Sequence, residues 1–182
     1  MKISFQKNVK DVKGEALFVS LDSKNSDEII RENGVKTLYL KCDEKEKMNL
    51  RKLFVLLRKM VLMAKGVKAD KLAFNFEDFK FKNSKLADIE LGEVIGSQLD
   101  FANYEFTKYK TSPKEGFNSV KEVFILNTTK EIQNAILKGN TIADEVNKTR
   151  SLSNMPGGDM TPKILAEKAK ELGIKEAVFD RG

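Results

Sequence analysis

Short apolar runs of strand length alternate with amphipathic helical patterns from Lys2 to Leu126, and this alternation restricts the chain to an α/β layered sheet, mixed and partly parallel, flanked by helices. Strands are expected at Lys2–Phe5, Ala16–Leu21, Lys36–Lys41, Lys71–Phe76 and Lys121–Leu126. The second is dense enough in apolar residues (Ala16, Leu17, Phe18, Val19) to be buried on both faces. Ser26-Asp27-Glu28 reads as the acidic start of a short helix that Asn33-Gly34 ends. The strongest helix is Asn49–Lys65, where Leu50, Leu53, Phe54, Leu57, Met60, Val61 and Ala64 recur at three- and four-residue steps before Gly66. Leu86–Asn103 reads as another, with Leu91, Val94, Ile95, Leu99 and Ala102 on one face. Its Gly92 and Gly96, one turn apart, imply close helix–sheet packing.

Beyond Lys130 the pattern changes. Ile132, Ala135, Ile136, Ala143, Val146 and Leu152 trace one long linking helix to about Asn154, with a kink expected at Gly139-Asn140. A breaker cluster, Met155-Pro156-Gly157-Gly158-Asp159, precedes a helix capped by Thr161, with Pro162 in its first turn. That helix should end at Gly173, ahead of a strand at Glu176–Asp180. The division is therefore a domain over 1–129, a linking helix over 130–154, and a helix–strand stub over 155–182. The stub is too short for a core of its own and reads as the start of a further, missing domain.

What chemistry these residues can carry is limited by what they lack. With no histidine, the chain cannot build a Ser-His-Asp or Cys-His triad or a His-containing zinc site. Its single cysteine, Cys42, allows neither an internal disulfide nor a Cys₄ cluster, and suits a reducing cytoplasm. Met1-Lys2-Ile3-Ser4-Phe5 starts no signal peptide, and the apolar run Leu53–Leu57 is far too short to span a membrane. No Walker loop, GxGxxG, GxSxG or HExxH pattern occurs. The carboxylates Asp43, Glu44, Glu46, Glu77 and Asp78 lie in polar surroundings and read as solvated.

The charge is unevenly placed. Lys and Arg number 33 against 27 Asp and Glu, a net +6, and the segment from Lys41 to Lys71 holds ten basic and four acidic residues, which accounts for all of it. Arg51, Arg58 and Lys65 repeat every seven residues, with Lys52 and Lys59 alongside, so the five form a stripe opposite the apolar face of the helix. They are the candidate contacts for an anion or nucleic acid. An ordinary solvated helix face is the simpler alternative, because few aromatic residues accompany the stripe.

Two stretches are more specific. One is Asn103-Tyr104-Glu105-Phe106-Thr107-Lys108-Tyr109-Lys110, followed by Val120-Lys121-Glu122-Val123-Phe124-Ile125-Leu126. The other is Thr149-Arg150-Ser151-Leu152-Ser153-Asn154-Met155-Pro156, then Met160-Thr161-Pro162 and Leu165-Ala166-Glu167-Lys168-Ala169. In this order and spacing the chain resembles the leucyl aminopeptidase (cytosol aminopeptidase) family of two-metal exopeptidases, closely from Gly92 to Leu172 and loosely before that.

The resemblance implies a macrodomain-like N-terminal domain, a linking helix and the entrance to a catalytic domain. The family's metal ligands come from later segments, of the types Lys-Gly-x-x-x-Asp-x-Gly-Gly and Asn-Thr-Asp-Ala-Glu-Gly-Arg, and neither is present here. Lys65-Gly66-Val67-Lys68-Ala69-Asp70 mimics the first, but lacks its glycines and lies on the wrong side of the Tyr104–Lys110 segment. The resemblance thus implies a parent metallopeptidase, a cytoplasmic homohexamer using two zinc or manganese ions to release N-terminal residues from peptides. For this chain it implies no catalytic or metal-binding residue, no activity, and a monomer or weak dimer awaiting the catalytic domain as its partner. The alternatives are a macrodomain-like module binding nucleotide or nucleic acid through the basic helix, and a stand-alone interaction protein.

Overall fold

The computed structural model describes residues 1–12, 14–22, 26–32 and 34–171, which divide into two compact units that meet between Glu145 and Val146. The first unit is built on a six-stranded sheet of β1 (Lys2–Gln6), β2 (Leu17–Asp22), β3 (Glu28–Glu32), β4 (Val35–Lys41), β5 (Lys71–Asn75) and β6 (Glu122–Leu126). Their order across the sheet is β1-β6-β5-β2-β4-β3. Every neighbouring pair is parallel except β3 with β4, so the antiparallel strand lies at one edge. The expected mixed α/β layered sheet is what forms, and most of its pairings are parallel.

β3 replaces the short helix expected after Ser26. Glu32 pairs with Val35, and Gly34 takes φ +81°. Asn-Gly between two β-branched runs is a hairpin turn signal, because a two-residue loop needs positive φ. Ile29, opposite Leu38, then reaches the core, which a short isolated helix could not have ensured.

Parallel strands require crossovers, and helices form two of them. α1 (Leu50–Gly66) joins β4 to β5, and α2 (Asp88–Asn103) joins β5 to β6. Asn49 caps α1, its side chain accepting the Lys52 N–H at 3.0 Å. Leu53, Leu57, Met60, Val61 and Ala64 of α1 are completely buried, and they share one core cluster with Leu91, Ile95 and Leu99 of α2. The sheet contributes alternate residues to that cluster: Leu17 and Val19, Leu38 and Leu40, Leu72 and Phe74, Val123 and Ile125. Alternation places Phe18, Ala73 and Phe124 on the opposite face, in a small second cluster with Ala16 and Val12. β2 is thus buried mainly on one face, where burial on both was expected.

Gly92 and Gly96 meet a helix and not the sheet. α3 (Lys130–Ser153) includes Gly139 within its span, and its first turns lie against α2. A Cβ on Gly96 would come within 2.0 Å of the Ile136 carbonyl oxygen, and one on Gly139 within 2.1 Å of the Glu93 carbonyl oxygen. These two backbones touch through the missing side chains.

The second unit contains the last turns of α3 and α4 (Pro162–Glu171). Thr161 caps α4 as expected, its Oγ1 accepting the Ile164 N–H at 3.4 Å and its carbonyl the Leu165 N–H at 2.9 Å. The helix end at Gly173 and the strand at Glu176–Asp180 lie outside the described residues.

Candidate functional site

The basic stripe lies on the outward face of α1, as the seven-residue spacing requires. An open depression of about 470 Å³ adjoins its N-terminal half where β4 ends, lined by Lys41, Cys42, Arg51, Lys52, Val55 and Lys59 among others. Ligand crevices in parallel sheets commonly open beyond the C-terminal ends of the strands. Val55 and Leu62 emerge between the cations, 59% and 57% exposed, the most exposed large apolar side chains among the described residues.

Four of the five stripe cations are held by groups within the protein. Lys52 pairs with Asp43 at 2.5 Å and Lys59 with Asp27 at 2.5 Å. Lys65, largely buried, lies 3.4 Å from Glu105, and Arg58 donates through Nε to Gln98 Oε1 of α2 at 2.7 Å. Among the described residues Arg51 makes no ion pair or hydrogen bond. The partners Asp27, Gln98 and Glu105 lie 32 to 40 residues from the cations they hold, and no sequence spacing could have identified them.

The electrostatics follow from these contacts. Burial works to raise the Asp27 carboxyl, but hydrogen bonds from Lys59 and the Lys41 N–H prevail and hold it below its ordinary value. The Lys52 ammonium does the same to Asp43. Burial, then the Asp43 and Asp22 carboxylates, push the Cys42 thiol up, which keeps it protonated and a poor nucleophile. Burial also raises Asp78, so this carboxylate is less solvated than the sequence implied.

The residues carrying the family resemblance hold the scaffold together. Asn103, the last residue of α2, clasps Val120: its Nδ2 donates to the Val120 carbonyl at 2.8 Å, and its Oδ1 accepts the Val120 N–H at 2.9 Å. This closes the loop from Tyr104 to Asn118 onto the start of β6. Inside the loop Glu105 bonds Lys110 at 2.8 Å and also faces Lys65, and the two lysines, Lys110 foremost, hold it below its ordinary value. Phe106 and Tyr109 pack with tilted rings, 5.7 Å between centroids. In the second unit Arg150 donates to the Oδ1 of buried Asn147 at 2.9 Å beside a shallow depression lined by Val146, Thr149, Ser153 and Asn154.

Among the described residues no three His, Cys, Asp or Glu side chains come together in a group able to hold a metal ion. They offer no donor set for the two ions the resemblance implies. Lys65 and Asp70 of the mimicking segment go to Glu105 and Lys121. No described helix is long and apolar enough to cross a membrane.

No protein-family model matches the chain. It is 32% identical over 117 residues to the probable cytosol aminopeptidase of Roseiflexus castenholzii, covering 61% of this chain and 23% of that protein. It is 31% identical over 124 residues to that of Solibacter usitatus, covering 66% and 24%. The cytosol aminopeptidase of Haemophilus influenzae is 37% identical over 75 residues, 41% of this chain and 15% of that one. A mutant of tomato leucine aminopeptidase shares the fold with a TM-score of 0.70 at 17% identity, covering 95% of this chain and 42% of that one. The bottromycin maturation enzyme BotP, in complex with Mn, does so at 0.67 and 15% identity, covering 88% and 36%. The chain is therefore a relative of the cytosol aminopeptidases, and its aligned part spans less than a quarter of the length of these curated relatives.

Proposed function

We propose that these 182 residues are the non-catalytic N-terminal part of a cytosol aminopeptidase, a macrodomain-like domain and linking helix that position a catalytic domain or govern access to it. The observation that carries this reading is the role of the residues on which the resemblance rests. Asn103, Glu105 and Tyr109 fasten a loop and Thr161 caps a helix, so the roles they take are structural. The parent enzyme, on this reading, is a cytoplasmic homohexamer that removes N-terminal residues from peptides. Two divalent ions, zinc or manganese, would activate water and polarise the peptide carbonyl there, held by residues of the catalytic domain.

The test is leucine p-nitroanilide hydrolysis by the purified chain with and without added Mn²⁺ or Zn²⁺. No turnover above buffer is expected, and chelator-sensitive turnover would overturn the proposal. An independent check is the DNA downstream of the Gly182 codon, which should continue in frame through both metal-binding segments.

A further inference from the structure

We propose that the outward face of α1 is a docking surface for an acidic amphipathic helix of a partner protein. Arg51, Val55, Arg58 and Leu62 follow one another at steps of four, three and four residues, so they form a single seam along the helix. The seam is apolar at two points seven residues apart and cationic between them, with Lys52 and Lys59 along one flank. Seven residues of helix rise about 10.5 Å, so a helix lying along α1 would meet both apolar points and both arginines within roughly three turns.

Two further observations support this occupant. Open depressions flank the apolar points: one lies beside Val55 and Arg51, and the other, of about 410 Å³, beside Leu62, Val55 and Arg58. They give a partner's apolar side chains somewhere to seat. Asp43 and Asp27 also pair with Lys52 and Lys59 along the flank, so the charge that draws a partner carboxylate is concentrated on Arg51 and Arg58 in the seam.

Other occupants fit less well. A second copy using the same face would set arginine against arginine across a two-fold axis. A nucleic-acid backbone would place phosphates over Val55 and Leu62, and the seam has no aromatic side chain on which a base could stack.

The test is fluorescence anisotropy of the 182-residue chain with a labelled synthetic helical peptide carrying Leu at every seventh position and Glu at three- and four-residue steps around it. Binding should be weak and salt-sensitive, and about tenfold weaker in Val55→Ser/Leu62→Ser and in Arg51→Glu/Arg58→Glu. All four side chains are exposed, although Arg58 also donates to Gln98, and unchanged circular dichroism would verify the fold of each variant. Cys42, the only cysteine, lines the depression beside Val55, so the peptide should also slow its alkylation by iodoacetamide. The proposal fails if the peptide does not bind at low salt, if either double variant binds as well as the parent chain, or if a scrambled peptide of equal charge binds equally. It also fails if sedimentation shows a dimer that the Val55→Ser/Leu62→Ser change dissolves, or if duplex DNA or anionic vesicles bind more tightly with the same variant sensitivity.

Discussion

Replacing Gly96 with alanine tests the packing of α2 on α3 through one methyl group. Propensity alone favours alanine in a helix interior by about 0.5–1 kcal/mol, so an unconstrained site would be stabilised. At Gly96 the new Cβ would meet the Ile136 carbonyl oxygen at 2.0 Å, the Ile136 carbonyl carbon at 2.9 Å and the Asn140 nitrogen at 2.9 Å. All three are backbone atoms, and no rotamer change relieves the overlap. Reaching ordinary van der Waals contact requires the helices to part by about 1.4 Å, which loosens Ile95, Leu99, Ile132 and Ile136 in the core. Overpacking of this kind costs about 1–3 kcal/mol or more, so the net loss should be about 2 kcal/mol, or roughly 4–8 °C in Tm for a chain of this size. Thermal unfolding followed by circular dichroism measures it against three internal comparisons. Gly139→Ala should be as damaging, because its Cβ would lie 2.1 Å from the Glu93 oxygen. Gly92→Ala should be milder, with its nearest contact the Ala135 Cβ at 3.1 Å. Gly66→Ala, with nothing within 4 Å, should be neutral or slightly stabilising. A Gly96→Ala protein as stable as its parent would refute the backbone contact.

Other predictions follow from single contacts. Asn103→Leu leaves the N–H and carbonyl of buried Val120 unpaired and should cost about 2–4 kcal/mol in urea unfolding, with earlier proteolysis between Tyr104 and Asn118; Asn103→Asp, which keeps one acceptor, should cost less. Asp27, held below its ordinary value of 3.8, contributes stability above that pH that is lost as pH falls through its lower folded value; Asp27→Asn should therefore lower the urea midpoint at neutral pH and have no effect well below pH 3.8. Asp78 has the opposite sign: burial raises its folded value above 3.8, so stability falls as pH rises through that interval, and Asp78→Asn should stabilise the protein at neutral pH and not in acid. Cys42 should react with iodoacetamide more slowly in the native chain than in urea at the same pH, since burial and two carboxylates keep its thiol protonated.

The sequence by itself determined the layered α/β architecture, five of the six strands and all four described helices, because periods of two and 3.6 are local consequences of backbone geometry. It also determined the Thr161 cap and the basic stripe from Arg51 to Lys65. The sixth strand was legible too, in the Asn33-Gly34 hairpin signal, but acidic residues at Ser26-Asp27-Glu28 compete with it by resembling a helix start. Only the tertiary structure decided the strand order and the burial of α2 glycines against α3 in place of the sheet. It alone showed which distant groups (Asp27, Gln98, Glu105) satisfy the stripe's cations, leaving Arg51 and the apolar points Val55 and Leu62 facing outward. The physical reason is range: helix and strand periods are fixed by neighbours a few residues away, whereas charge pairing and close helix contact depend on which segments the sheet brings together.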